Sequence, residues 1–178
     1  FWKTGHSYIK RKTNEINAAA GFERSGHFFF NNPIGRGYDD GILSALEILK
    51  ILDNNKNKKL NNLYNELPAT FSSPTMSPKC PEESKYAVIE KIEKIFQNKM
   101  KNKQLLAGQK ILSILTVNGV RIHLEDGSWC LVRASSNSPN LVVVCESTVS
   151  AERMKEVFND LNSELIKFKE IGDYDQKI

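Results

Sequence analysis

One short stretch lying between two apolar runs concentrates oxygen-binding side chains: Arg133-Ala-Ser135-Ser136-Asn137-Ser138-Pro139. Arg133 offers a planar fork of donors matched to a phosphate or a carboxylate, and the hydroxyls of Ser135, Ser136 and Ser138, the Asn137 amide and nearby backbone N–H groups add further donors. Such a loop can cradle several oxygens of one phosphate. A Ser/Asn-rich surface turn whose arginine pairs with a carboxylate has the same composition, so the loop alone leaves both readings open. A second stretch, Gly21-Phe-Glu23-Arg-Ser25-Gly-His27, sets a carboxylate, a hydroxyl and an imidazole around glycine just before Phe28-Phe-Phe30. It suits a ligand-gripping loop, but a solvated Glu23 and a hydrogen-bonded core His27 would look alike. Asp39-Asp40 invites a metal site. The pair immediately precedes an apolar helical stripe, however, where a carboxylate satisfies free N–H groups and favours the helix dipole, so capping is the preferred reading.

The elements that position these groups are legible from periodicity. Tyr8, Ile9, Ile16, Ala19 and Ala20 among basic residues predict an amphipathic helix from Ser7 to about Ala20, with Thr4 or Ser7 as its cap and Gly21 as its end. Phe28–Phe30 is strand-like, and Ile42 to Leu52 carries a helical stripe. Leu60 to Leu67 is a short helix broken by Pro68. The proline-punctuated stretch from Ser72 to Pro78 is a linker or an edge strand. A helix starting near Pro81 places Val88, Ile89, Ile92, Ile95 and Phe96 on one face. Strands are expected over Ile111–Val117, Val120–Leu124, Ser128–Arg133 and Leu141–Cys145. The first three are joined by the hairpin dipeptides Asn118-Gly119 and Asp126-Gly127. A final helix from Ser150 carries Met154, Val157, Phe158, Leu161 and Leu165. The expectation from Pro68 to about Phe168 is therefore an α+β domain, a four-stranded antiparallel sheet with two helices on one face. Residues 1–67 supply too little to enclose a core alone, so they are expected to be a partial domain that folds poorly or leans on the second.

Composition narrows the function classes. The chain has 178 residues, is 40% hydrophobic and carries a formal charge of +4. The basic excess sits in Lys/Asn-rich segments such as Asn54 to Lys59 without interleaved aromatics, which argues against nucleic-acid binding. No apolar run reaches membrane-spanning length and no secretory leader is visible, so a cytoplasmic protein is the default. Cys80, Cys130 and Cys145 lack CxxC spacing and are read as reduced. The opening at Phe1, without a methionine or a leading element, suggests part of a longer polypeptide.

Taken in order, Lys3-Thr-Gly-His6-Ser7, Glu23-Arg-Ser25-Gly-His27, Asp39-Asp40-Gly41 and the Arg133–Pro139 loop resemble the carboxyl-terminal part of an α-D-phosphohexomutase. The branch they look most like is bacterial phosphomannomutase/phosphoglucomutase. The resemblance implies that residues 1–67 are the end of domain 3, a partial α/β sugar-recognition domain, and that 68–178 are domain 4, a TATA-box-binding-protein-like phosphate-binding domain. By the same resemblance Glu23 and Ser25 bind sugar hydroxyls, His6 contacts substrate and His27 assists proton transfer near the reacting oxygen. Arg133, Ser135, Ser136 and Asn137, supported by Ser138, bind the substrate phosphate.

The implied partners are hexose phosphate and hexose bisphosphate, bound by a monomer. Mg2+ serves the full-length enzyme from a loop outside this chain, and neither that loop nor the catalytic serine loop is among these residues. The chain alone is thus expected to be inactive. Phe22 replaces a common glycine, and Ser-Ser-Asn-Ser stands where Ser-Asn-Thr-Thr is common, while the Gly-Thr-Glu usual in the phosphoglucosamine branch is missing. A non-catalytic sugar-phosphate-binding module is the alternative.

Overall fold

The computed structural model describes residues 1–176 and 178 and divides into two units, Phe1–Leu67 and Pro68–Ile178. The first unit runs α1 (His6–Glu15), β1 (Ala20–Phe22), β2 (Phe28–Phe30), α2 (Gly41–Asn54) and α3 (Leu60–Asn65). Its first helix is shorter than the apolar pattern predicts. Asn17 takes a left-handed φ of 49°, which an asparagine tolerates, and the chain leaves the helix to place Ala20 in β1. Neither Thr4 nor Ser7 caps α1; Gly5 occupies the N-cap position without a side-chain cap bond.

β1 and β2 pair antiparallel, Ala20 opposite Phe30 and Phe22 opposite Phe28. Asp40 caps α2 as its position suggests, its carboxylate accepting from Leu43 N–H at 2.9 Å. The apolar stripe of α2 stays exposed: Ile42 keeps 79% and Leu49 58% of its accessible surface. Among the described residues of this unit Phe29 is the one buried apolar side chain. Two strands of three residues offer too little surface to cover a helix of 14.

The second unit contains β3 (Phe71–Ser72), α4 (Lys85–Lys101), β4 (Leu105–Leu106), β5 (Gln109–Leu115), β6 (Val120–Leu124), β7 (Trp129–Ala134), β8 (Leu141–Ser147) and α5 (Ala151–Leu165). The antiparallel sheet has six strands in the order β3-β8-β7-β6-β5-β4, not the four expected. The central four are those the alternation marks. The two extra strands are two residues long and sit at the edges, where a pair of backbone bonds forms without any periodic signal. α4 begins at Lys85, not near Pro81, after a turn in which Ser84 and Lys85 N–H both bond to Pro81 O.

Alternation along β7 and β8 buries Cys130, Val132, Leu141, Val143 and Cys145 on one face, with Val120, Ile122 and Leu124 of β6 beside them. Against that face lie Val88, Ile89, Ile92 and Phe96 of α4 and Met154, Val157, Phe158, Leu161 and Leu165 of α5. Each of these residues contributes about 1.5–3 kcal/mol when fully buried. Cys130 and Cys145 are opposite one another in the β7–β8 ladder, and all three cysteines are free and buried. Burial pushes the Cys130 thiol well above its ordinary value and the Cys145 thiol up to about 12.

The Asp126-Gly127 turn is tied down by charge. Asp126 Oδ1 accepts from Ser128 N–H at 2.9 Å, and Oδ2 pairs with Arg153 Nε of α5 at 2.6 Å. Partial burial raises the Asp126 pKa, but the Ser128 N–H and Arg153 outweigh it, leaving the carboxyl below its ordinary value. A carboxyl depressed in the folded state contributes stability that is full above its unfolded pKa and is lost as pH falls through the folded one. Urea unfolding between pH 7 and pH 2.5 should therefore show stability declining below about pH 4. Asp126→Asn should be less stable at pH 7 and show a shallower decline.

Candidate functional site

The first unit gathers its polar side chains at the ends of α1, β1 and β2. Residues Glu23 to Gly26 make a tight turn between the two strands, with Gly26 N–H on Glu23 O at 3.0 Å and Glu23 N–H on His27 O at 2.9 Å. That turn holds Glu23 so that its Oε1 accepts from Gly5 N–H at 3.0 Å, immediately before His6, while Ser25 Oγ lies 3.4 Å from Oε2. His6, Glu23, Ser25 and His27 are thereby brought into one cluster.

Asp39 completes the cluster and was missed as a site residue. Its Oδ1 accepts from Phe28 N–H at 3.2 Å, and its Oδ2 lies 2.7 Å from His27 Nδ1 and 3.6 Å from His6 Nε2. The capping reading holds for Asp40 only, because one side chain fills the N-cap and its neighbour points elsewhere. The signal was the doubling itself: a second carboxylate beside a cap is free for another partner. The hydrogen bond from His27 holds the Asp39 carboxyl below its ordinary value. An ionised carboxylate only accepts, so His27 Nδ1 is the donor of this bond, and in the neutral ring Nε2 is then the acceptor. The two imidazoles meet edge to face at 4.6 Å between centroids, and His6 packs in the same manner on buried Phe29 at 5.4 Å.

His6, His27 and Asp39 are, among the described residues, the one group able to hold a metal ion. Two imidazoles and one carboxylate suit a borderline ion and not Mg2+, which prefers oxygen ligands in octahedral array. This cluster therefore does not fit Mg2+. A surface depression of about 260 Å³ in the same unit is lined by Ile34, Tyr38, Ile42 and Leu46 among others, and contains none of the sequence-predicted site residues.

In the second unit Arg133 lies in β7, consistent with the strand expected over Ser128–Arg133, and is paired with Val142 of β8, so it stands beside the open loop and not within it. Its Nη1 donates to Ala134 O at 3.1 Å. The ladder continues one step beyond the strands through Ser135 N–H to Asn140 O at 3.0 Å, so the open loop is only Ser136 to Pro139. Ser135 and Ser138 hydroxyls face each other at 2.9 Å, and Asn137 N–H bonds to Ser135 Oγ at 3.3 Å. Ser136 and Asn137 are exposed at the tip. In the turn that leads into β6, Gly119 has φ of 93°, and a Cβ there would collide with Arg133 Cβ and the Val132 carbonyl oxygen. The Asn118-Gly119 hairpin thus fits closely against the Arg133 backbone.

Residues 1–71 match the family described as Phosphoglucomutase/phosphomannomutase, alpha/beta/alpha domain III, and residues 78–164 match Phosphoglucomutase/phosphomannomutase, C-terminal domain. A Phosphomannomutase/phosphoglucomutase of Pseudomonas aeruginosa is 37% identical over 161 residues, covering 89% of this chain and 32% of the relative. A Phosphoglucomutase of Neisseria meningitidis is 33% identical over 159 residues, covering 88% and 32%. The chain thus spans about a third of the length of the relatives it matches. A crystal structure of a phosphoglucomutase/phosphomannomutase family protein from Burkholderia thailandensis superimposes with a TM-score of 0.76 at 27% identity, over 97% of this chain and 33% of that one.

Two variants check the geometry. Gly119→Ala should lose about 1–3 kcal/mol in denaturant unfolding through strain at a positive φ. Asp39→Asn should move the neutral His27 proton from Nδ1 toward Nε2, read from the imidazole nitrogens in long-range 1H–15N spectra. An unchanged tautomer would mean that Asp39 does not orient the ring.

Proposed function

Because this chain belongs to the phosphoglucomutase/phosphomannomutase family, we propose that it is the sugar- and phosphate-binding part of an enzyme interconverting hexose 1-phosphate and hexose 6-phosphate. The sugar is mannose, glucose or both. In the full-length protein a phosphoserine outside these residues gives its phosphoryl group to the free hydroxyl of the hexose phosphate. The resulting bisphosphorylated sugar reorients and returns its other phosphoryl group to the serine, so the enzyme ends as it began. Catalysis of this kind rests on positioning and electrostatic stabilisation. The serine and magnesium loops belong to the remaining two thirds of such a protein, and this chain alone is inactive.

On this reading residues 1–67 are the end of domain 3 and 68–178 are domain 4, with the antiparallel arrangement of a TATA-box-binding-protein-like domain. Glu23 and Ser25 hold ring hydroxyls, and His6 contacts substrate. His27 Nε2 takes or returns the proton of the reacting hydroxyl while Asp39 fixes its tautomer. Arg133, Ser135, Ser136, Asn137 and Ser138 grip the phosphate that is not reacting. The observation that carries the reading is the convergence of His6, Glu23, Ser25, His27 and Asp39 within one unit. The enzyme is read as a cytoplasmic monomer. Among the described residues no helix is long and apolar enough to cross a membrane.

A calorimetric titration of this chain with glucose 1-phosphate, beside glucose alone and an Arg133→Ala variant, tests the reading. Weak binding that needs both the phosphate and Arg133 is expected, with no turnover to glucose 6-phosphate in a coupled assay. Equal binding of glucose and glucose 1-phosphate, or binding indifferent to Arg133, would overturn the phosphate assignment. Turnover by this chain would overturn its role as a partial enzyme.

A further inference from the structure

The 135–140 loop is built over a buried ammonium group. Lys85, the first residue of α4, is 1% exposed. Its Nζ donates to Ser135 O at 2.6 Å, to Ser138 O at 3.2 Å and to the Glu82 carboxylate at 2.7 Å, which accounts for all three of its protons. Burying a lysine is costly unless its charge is paired and hydrogen-bonded, and here two of the three acceptors are backbone carbonyls of one loop. Glu82 is 62% exposed, so its charge is largely offset by water while that of Lys85 is not.

The peptide plane turns this into a consequence for ligands. In a trans peptide the C=O of one residue and the N–H of the next point in opposite directions. Tying Ser135 O down to Lys85 therefore turns Ser136 N–H away from Lys85, toward the exposed tip of the loop. Ser138 O is tied to the same ammonium, and the two residues so anchored are those whose hydroxyls meet at 2.9 Å. Ser138 O also accepts from Asn140 N–H at 2.8 Å and so keeps a partner without the ammonium, whereas Ser135 O would have to rotate toward water, and the N–H between Ser135 and Ser136 would rotate with it. We propose that Lys85 is a positioning residue for a phosphate monoester. Its buried ammonium holds Ser135 to Ser138 in the shape that offers Ser136 N–H and the loop hydroxyls to one set of phosphate oxygens, and places a fixed positive charge beneath them. This rests on reading the loop as the phosphate site.

The test titrates this chain and its Lys85→Met, Lys85→Arg, Glu82→Gln and Arg133→Ala variants with glucose 1-phosphate, with thermal unfolding of each. Lys85→Met should weaken binding about tenfold, as loss of charge-assisted bonds implies. Lys85→Arg should fall between, since a planar fork keeps the charge but cannot place one nitrogen on both carbonyls. The amide peaks of Ser136 and Asn137 should move in Lys85→Met without ligand. A purely structural lysine would lower the melting temperature and leave the affinity of the folded variant unchanged, and that result overturns the proposal. If Lys85→Met does not fold, Glu82→Gln decides. Removing the counter-charge should tighten binding about twofold, and unchanged or weaker binding overturns the proposal. If Arg133→Ala binds like the parent chain, it is the loop's assignment to phosphate that fails.

Discussion

Antiparallel pairing of β7 with β8 determines what the second unit can present. The ladder runs without a break from Trp129 opposite Glu146 to Ala134 opposite Leu141, then adds one more bond from Ser135 to Asn140. Period-two alternation is then strict. With Cys130, Val132, Leu141, Val143 and Cys145 committed to the core, Leu131, Arg133 and Val142 must lie on the other face. A slip of one residue would put Arg133 among the helices and Val132 outside. The arginine's position is thus a by-product of apolar burial some distance away. The register sets the face from which the side chain leaves, and the Ala134 carbonyl then holds Nη1.

The first unit solves a similar problem without a core. Its polar cluster is assembled from three separate segments, and the joins are backbone donors on carboxylates: Gly5 N–H on Glu23, and Phe28 N–H on Asp39. These fix positions that packing alone does not, since Phe29 is the one buried apolar side chain among the described residues there. The two carboxylates differ in what they leave over. Glu23 keeps its second oxygen near a serine, whereas Asp39 spends its second oxygen on a ring nitrogen. One arrangement suits hydroxyl recognition; the other suits steering a proton.

These features are unevenly legible in the sequence, for physical reasons. The four central strands, the helix stripes of α4 and α5 and the two hairpin glycines follow from periodicity and turn chemistry, which act locally. β3 and β4 have no such signature, because a two-residue strand is defined by its neighbour and not by its own side chains. Arg133 closes the strand expected over Ser128–Arg133, and pairing carries β7 one residue further, to Ala134, because the ladder and not the composition of the turn decides where the strand ends. Asp39 and Asp40 look alike as caps, since adjacency alone does not say which of two carboxylates the helix uses. Lys85 gave no sign of burial, since an i,i+3 glutamate on a helix entrance is an ordinary surface pattern. Its carbonyl partners lie 50 and 53 residues further on, a distance that only the tertiary fold closes.

The three buried thiols have a practical consequence. Cys80, Cys130 and Cys145 all belong to the second unit, and the first has none. A thiolate is the species that reacts, and burial both hides these sulfurs and suppresses their ionisation. A slow alkylating reagent therefore meets them only when the strands or the Cys80 turn part. Labelling kinetics followed by mass spectrometry become a native clock for the opening of one unit alone, with no probe engineered in. Cys130 and Cys145, facing each other across a single ladder, should tick together.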